Sequence, residues 1–481
     1  MKKMLLKKVI TVSLSLVMAI ALLTGCSAGG NNKSEGNTTK DTTQDNTTNS
    51  SGGTITVDFW TAPEQYNLDF WSKYADKFNN SNVQLDGKKI MVKVQMMPAQ
   101  PSSEAGIQNA IATGTVPAIS ENINRGFANT LAESQAVYDI SKEDWFGSIV
   151  QERKIESVME GWAINGAQYV IPLYVNPITY CYNSKALKSL GINEVPQTVS
   201  DFNTLLETYK DKKDTLNSQG ITHFMYRSEL LNSANWWERW FDVESQYDAF
   251  SQGTPLVEGN KLTADKGALS KVFELYANIG SSLLTGTIEG VWQQAEVPVV
   301  MGIGLPWEIS ANTAAGKVYG IDGDYVFGPT FVENEGDIHY NYADSKGVVL
   351  YKNSAISEEE HNGAIEFLKY VFTGEGKDTV DIDWLKATSM LPVRGDLASN
   401  EALASYFGEN PALKDVSSFV SGGVPVMANG KVADIMTALG EKAVIPFVNE
   451  VVASSGINEN PDVTKYVDAA LNAMQEAGSL E

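Results

Sequence analysis

The sequence predicts an α/β protein of two lobes, and three observations predict it. Near the start of the folded stretch, segments that alternate apolar and polar residues give way to segments of helical spacing, strand then helix then strand then helix. Thr54 to Glu481 spans 428 residues, too long for one ordinary core and about right for two. The two cysteines, Cys26 and Cys181, supply no disulfide framework, so stability has to come from large apolar cores.

The elements follow in order. Thr54 to Trp60 alternates, with Ile55, Val57 and Phe59 on one face, and a helix follows through Leu68, Trp71, Tyr74, Ala75 and Phe78 until Asn79 to Asn82 ends it. Trp71 sits on the apolar helix face and reads as core. Ile90 to Met96 is the next strand, and Glu104 to Ala112 is a helix stopped before Gly114. Val170 to Asn183 is rich in strand formers but carries Pro172 and Pro177, which suggest a crossing and not one continuous strand. A helix begins near Ser184 with Asn183 as its cap. Gly347 to Tyr351 reads as a short apolar strand and Glu358 to Phe372 as a helix stopped by Gly374. The last hundred residues are mainly helical, with breaks expected near Gly422, Gly440 and Gly456.

Ahead of this stretch, Lys2, Lys3, Lys7 and Lys8 precede an apolar run from Val9 to Leu23, the pattern of a signal peptide over residues 1–25. A helix that crosses ~30 Å of hydrocarbon needs ~20 residues, and this run is shorter. Leu23-Thr24-Gly25-Cys26 resembles the lipobox of bacterial lipoproteins, which implies lipidation of Cys26 and two acyl chains, enough for stable anchoring. After Cys26, residues 27–53 are almost entirely Ser, Thr, Asn, Gly, Asp and Lys with no large apolar side chain, so that residues 26–53 read as the lipidated Cys and a disordered linker that would span about 30 Å on average.

Loss of the leader removes four lysines and no acid, which takes the net charge from −23 to −27. A nucleic-acid partner needs a basic face, and none is suggested. An anionic ligand would need a local Arg or Lys pocket, so neutral ligands are the easier match.

Several spaced segments together resemble the extracellular solute-binding proteins of carbohydrate importers, the group that includes maltose-binding protein. They are Ala112-Thr113-Gly114-Thr115-Val116-Pro117, Gln168-Tyr169-Val170-Ile171-Pro172 with Tyr182-Asn183, and Gly304-Leu305-Pro306-Trp307. Ala364-Ile365-Glu366-Phe367-Leu368-Lys369 and Leu391-Pro392-Val393-Arg394 continue the series. Two positions depart from it: Ala118 stands where the family often has Asp, and Val199 where Trp is common.

The resemblance implies a two-lobed periplasmic-binding-protein-like fold, with hinge strands and an interlobe ligand cleft that closes by bending. Residues 54–173 with 345–400 would form lobe 1, and 174–344 with 401–481 lobe 2. The chain would cross between them near Tyr174, Ser345 and Asn400. The expected role is that of a lipid-anchored monomer on the outer side of the cell membrane. It would bind a carbohydrate, most readily an oligosaccharide, and hand it to the permease subunits of an ABC transporter, with no cofactor, metal or catalytic residue.

A sugar ring offers an apolar face and an edge of hydroxyls, so its site needs aromatic platforms ringed by polar groups. All ten tryptophans lie after Thr54. Trp60 at the end of the first strand, Trp307 in the Gly-x-Trp-like element and Trp384 are the leading platforms. Trp236 and Arg239 are chosen from Asn235-Trp236-Trp237-Glu238-Arg239-Trp240, where Trp236 and Trp240 would share a helix face, and Trp292 after Gly290 follows. Tyr174 and Asn176 at the first crossing, Asn122, Glu308 and Arg394 are the expected hydrogen-bonding groups.

A secreted glycosidase would also use tryptophans and two carboxylates, which 59 acidic residues can supply. No glycosidase motif, Gly-x-Ser-x-Gly or P-loop is present, however. His223, His339 and His361 lack zinc-ligand spacing, and neither Asp322-Gly323-Asp324 nor Asp381-Ile382-Asp383 completes a calcium loop. A sensor kinase as recipient, or a peptide or amine as ligand, remains a distinct alternative for such a fold.

Overall fold

The computed structural model describes residues 53–100, 102–228, 230–231, 235–453 and 461–481. The leader, Cys26 and the linker as far as residue 52 lie outside the described residues, as does Gly456.

Fifteen strands are found among the described residues. The first seven are β1 (Thr54–Thr61), β2 (Gln84–Leu85), β3 (Lys88–Met96), β4 (Ile119–Ile123), β5 (Ile171–Pro177), β6 (Thr179–Asn183) and β7 (His223–Arg227). Then come β8 (Val257–Glu258), β9 (Lys261–Leu262), β10 (Leu283–Thr285), β11 (Val299–Gly304) and β12 (Tyr325–Gly328). β13 (Asn341–Leu350), β14 (Leu391–Pro392) and β15 (Gly423–Pro425) complete the set. The larger sheet runs β14-β5-β13-β4-β1-β3-β2, with β15 also paired to β13, and the smaller runs β10-β7-β11-β6-β12.

The larger sheet is covered on both faces, as its alternation demands. Ile55, Val57 and Phe59 of β1 face the helices Gln65–Asn80, Glu358–Phe372 and Val380–Thr388, where Phe59 lies 4.6 Å from Trp71. Trp60, one residue on, points to the opposite face among Ile107, Phe127 and Leu131. Each fully buried side chain of this size contributes about 1.5–3 kcal/mol. The smaller sheet packs into a second core with the helices Val199–Asp211, Lys266–Ile279 and Val463–Gly478.

Two antiparallel strands tie the sheets together. β5 runs beside β13 from Ile171↔Val348 to Pro177↔Ala343, then enters the smaller sheet as β6 after the single residue Ile178. The amide of Ile178 donates to the Tyr342 carbonyl at 2.9 Å, and Ser245 donates to the Ile178 carbonyl. The stretch is the crossing that its prolines suggest: Pro177 ends β5 before the chain changes sheet, and a bulge between Lys346 and Gly347 lies opposite Pro172. A Cβ on Gly347 would sit 2.2 Å from the Ile171 carbonyl oxygen, so the close approach requires glycine.

Helix signals read well. Ser103–Thr113 ends on Gly114 at φ 70, Asn183 caps Ser184–Leu190 through the Lys185 and Ala186 amides, and Glu358–Phe372 runs as expected. Two expectations need correction. β13 begins at Asn341, six residues before the apolar segment, because its first half buries Asn341, Asp344 and Ser345 at the junction of the sheets. Gly440 does not break its helix: Val432–Leu439 passes through a π turn, Gly440–Val444, into Ile445–Ala453. A Cβ at Gly440 would approach Arg239 Nη1 to 3.3 Å, so this glycine makes room for a buried guanidinium.

Candidate functional site

The carboxyl ends of β1, β4 and β11 all open on one cavity of about 790 Å³ between the two sheets, the expected position for a ligand in an open α/β sheet. Ala62, Pro63 and Tyr66 follow β1, and Asn122 and Asn124 belong to the end of β4 and the turn after it. Tyr174, Asp344 and Lys346 come from β5 and β13, so the strands that connect the sheets form the floor. The facing wall is aromatic: Trp236, Trp237, Trp240, Phe241 and Trp307.

Local chemistry fixes these groups. Trp236 meets Trp240 edge to face at 5.0 Å, and Trp240 stacks on Tyr342 of β13 at 5.2 Å, so the aromatic wall rests on a connecting strand. Trp307 follows β11 in a short 3-10 turn and touches the apolar cores of both sheets. Asn122 has φ 68, a left-handed conformation that Asn tolerates better than most residues, and its Oδ1 accepts from the Tyr174 hydroxyl at 3.4 Å.

Charge is unevenly distributed. Beneath the cavity, Glu121 is fully buried; its Oε1 accepts from Thr61 Oγ1 at 2.7 Å, the Ala62 amide at 2.7 Å and Asn67 Nδ2 at 3.0 Å. Its other oxygen has no hydrogen-bond partner among the described residues. Burial pushes the carboxyls of Glu121, Glu104 and Asp344 above their ordinary range, and Lys346 is the cation that opposes this in each case.

Of the residues expected from sequence, Asn122, Tyr174, Trp236 and Trp307 line this cavity. The others lie elsewhere, and burial or pairing explains each. Trp60 is held in the apolar layer beside Phe127, and Trp384 is fully buried between Phe70 and Tyr174, the latter stacked on it at 5.6 Å. Trp292 packs on Tyr325 and donates its indole N–H to the Ile303 carbonyl at 3.2 Å. Asn176 is fully buried, accepting from the Leu391 amide at 3.2 Å. Arg239 pairs with Asp242 one turn on at 2.7 Å, and Arg394 pairs with Asp381 at 2.8 Å and Asp396 at 2.7 Å. Glu308 turns its carboxyl inward toward Gln293, and its Oε2 is buried without a hydrogen-bond partner among the described residues.

Sequence reasoning missed Tyr66, Glu104, Trp237, Trp240, Phe241, Asp344 and Lys346. The run of indoles was the available signal. Trp236 and Trp237 lie in a turn that precedes the helix, so helical spacing could not assign their directions. Two other cavities are smaller, about 390 Å³ beside Lys185 and Asp324 and about 510 Å³ beside Arg394, and neither has an aromatic wall of this kind.

Residues 73–414 match the model of a family described as bacterial extracellular solute-binding protein. The chain belongs to that family. Members of this family are solute-binding proteins, not enzymes, and act outside the cytoplasm. An uncharacterized protein from Listeria monocytogenes EGD-e is similar at 29% identity, covering 88% of this chain and 99% of that one, with a TM-score of 0.72. The cyclic alpha-maltosyl-1,6-maltose binding protein from Arthrobacter globiformis is 14% identical over 88% and 99% of the two chains, with a TM-score of 0.64. The galacto-N-biose-/lacto-N-biose I-binding protein from Bifidobacterium longum, solved with lacto-N-biose, is 14% identical over 89% and 99%, with a TM-score of 0.63. No curated protein sequence matches.

Proposed function

We propose that this solute-binding protein captures a carbohydrate, most readily an oligosaccharide, between its lobes and delivers it to the permease of an ABC transporter. The observation that carries the reading is the cavity, with indoles on one wall and amides, hydroxyls and carboxyls on the other. Structural neighbours that bind maltose-type sugars and lacto-N-biose lend support. In this reading Trp307 and Trp236 are platforms, while Asn122 and Tyr174 are hydrogen-bonding groups. Lobe 1 comprises residues 54–173 and 345–400, and lobe 2 comprises 174–344 and 401–481. Cys26, lipidated, tethers the monomer to the outer side of the cell membrane.

The test is a thermal-shift screen of the purified chain against mono- and oligosaccharides, followed by calorimetry and product analysis on any hit. A ligand at 100 times its Kd stabilises by about 2.7 kcal/mol, well within detection. One-to-one saturable binding without turnover is expected. Hydrolysis of the sugar, or silence across the panel, overturns the reading.

A further inference from the structure

Three carboxyls surround the floor of the cleft: Glu104 from the start of the helix Ser103–Thr113, Asp344 from β13 and Glu121 beneath, in β4. Lys346 is the one ammonium that acts on all three. Of the other charged groups at the cavity wall, Glu64 is exposed and Glu238 is bound to Arg227 at 3.1 Å, so neither changes the sign.

Asp344 makes the imbalance specific. It lines the cavity yet is only 6% exposed, its carboxyl accepts no hydrogen bond from the described residues, and Lys346 Nζ stands 3.9 Å away. Glu104, half-buried at the start of its helix, meets Ser102 and takes a long contact from Asn124 Nδ2 at 3.5 Å. A buried carboxylate whose one ion pair is this long is only weakly compensated, so the site has room for a donor it does not itself contain. Tyr66 and the indole wall add electron-rich ring faces, which also favour a cation.

We infer that the sugar held here carries a protonated amine, as in an amino sugar or an aminated oligosaccharide, and that its ammonium docks on Asp344 and Glu104. The inference rests on the carbohydrate reading above. A neutral sugar adds no charge partner to Lys346 for these carboxyls, and an anionic one is repelled by them.

The test measures affinity of the full-length chain by calorimetry for matched triplets: each free-amine sugar, its N-acetyl form and its hydroxyl counterpart. Glucosamine, galactosamine and β-1,4-linked diglucosamine head three of them. The free amine is expected to bind at least roughly tenfold more tightly than either relative, the scale of one charge-assisted contact. Asp344→Asn and Glu104→Gln should each reduce that preference to under about threefold, while Glu359→Gln on the outer surface should keep it. Thermal unfolding of each variant confirms that it is folded. If a hydroxyl or N-acetyl sugar binds as tightly as its amine, or the preference survives both cleft variants, the inference fails and the carbohydrate reading stands. If no member of any triplet and no sugar of the wider panel binds, both fail together.

Discussion

Replacing Arg153 by Met should destabilise the protein by about 3–5 kcal/mol. Arg153 is 1% exposed and supports the base of β5: its Nη2 donates to the Leu173 carbonyl at 3.0 Å and to Asp381 Oδ1 at 2.9 Å, and its Nη1 donates to the Pro172 carbonyl. Breaking one side of a buried ion pair costs about 3–5 kcal/mol, and each carbonyl left without a donor costs about 1–3 kcal/mol more. Two features offset part of this. Asp381 keeps Arg394 at 2.8 Å on its other oxygen, and methionine fills much of the volume of the arginine stem, although it loses the guanidinium that lies over the Phe372 ring at 5.4 Å. The total stays near the range of a single broken pair, a large share of the about 5–15 kcal/mol that holds a typical domain. Urea unfolding of the purified chain, read as the midpoint at constant m, measures it, with Lys88→Ala as the reference. Lys88 pairs with Glu359 at 2.6 Å on the exposed surface, where about 0–1 kcal/mol is expected. A loss below about 1 kcal/mol for Arg153→Met would refute the view that this residue anchors the connecting strand.

Three further outcomes are expected. Trp307→Ala should weaken sugar binding by about 10–100-fold in calorimetry, whereas Trp292→Phe, in the core behind the cleft, should leave affinity within about threefold and lower only the unfolding midpoint. Gly347→Ala should cost more than about 2 kcal/mol in urea titration, since the new Cβ meets backbone at 2.2 Å and not a flexible side chain; a cost near zero would mean that the bulge can shift freely. Burial, with Glu238 adding and Arg227 opposing, pushes the Glu308 carboxyl up to about 8. The folded state therefore holds this proton more tightly than the unfolded chain. Its stabilising contribution is full below about 4.5 and is lost as pH rises through about 8. Glu308→Gln should flatten that part of the decline in unfolding midpoint between about pH 5 and 9, and an unchanged slope would count against the assignment.

Much of the local structure was legible because its causes are local. Ile55, Val57 and Phe59 alternate because one face of β1 is covered, and Ser184–Leu190 begins at Asn183 because that side chain satisfies two free amides. Gly440 shows where local reading stops. Its sequence neighbours say nothing of Arg239, two hundred residues away, whose guanidinium occupies the space that a side chain would need. Arg239 and Arg394 lie away from the aromatic cavity for a related reason: each found a carboxylate within a few residues, and a charge held in such a pair is costly to draw away.

By itself the sequence determined the alternation of strand and helix, the size that calls for two lobes, the absence of a disulfide framework and the aromatic stock of a solute site. The tertiary structure decided which of those aromatics meet the cleft. Asp344 and Lys346 came to line the cavity only when β13 was laid against β5, and Trp60 became core because β1 turned it to the covered face. Periodicity reports the face on which a side chain lies. Which faces are covered, and which border a cavity, depends on the packing of elements far apart in the chain.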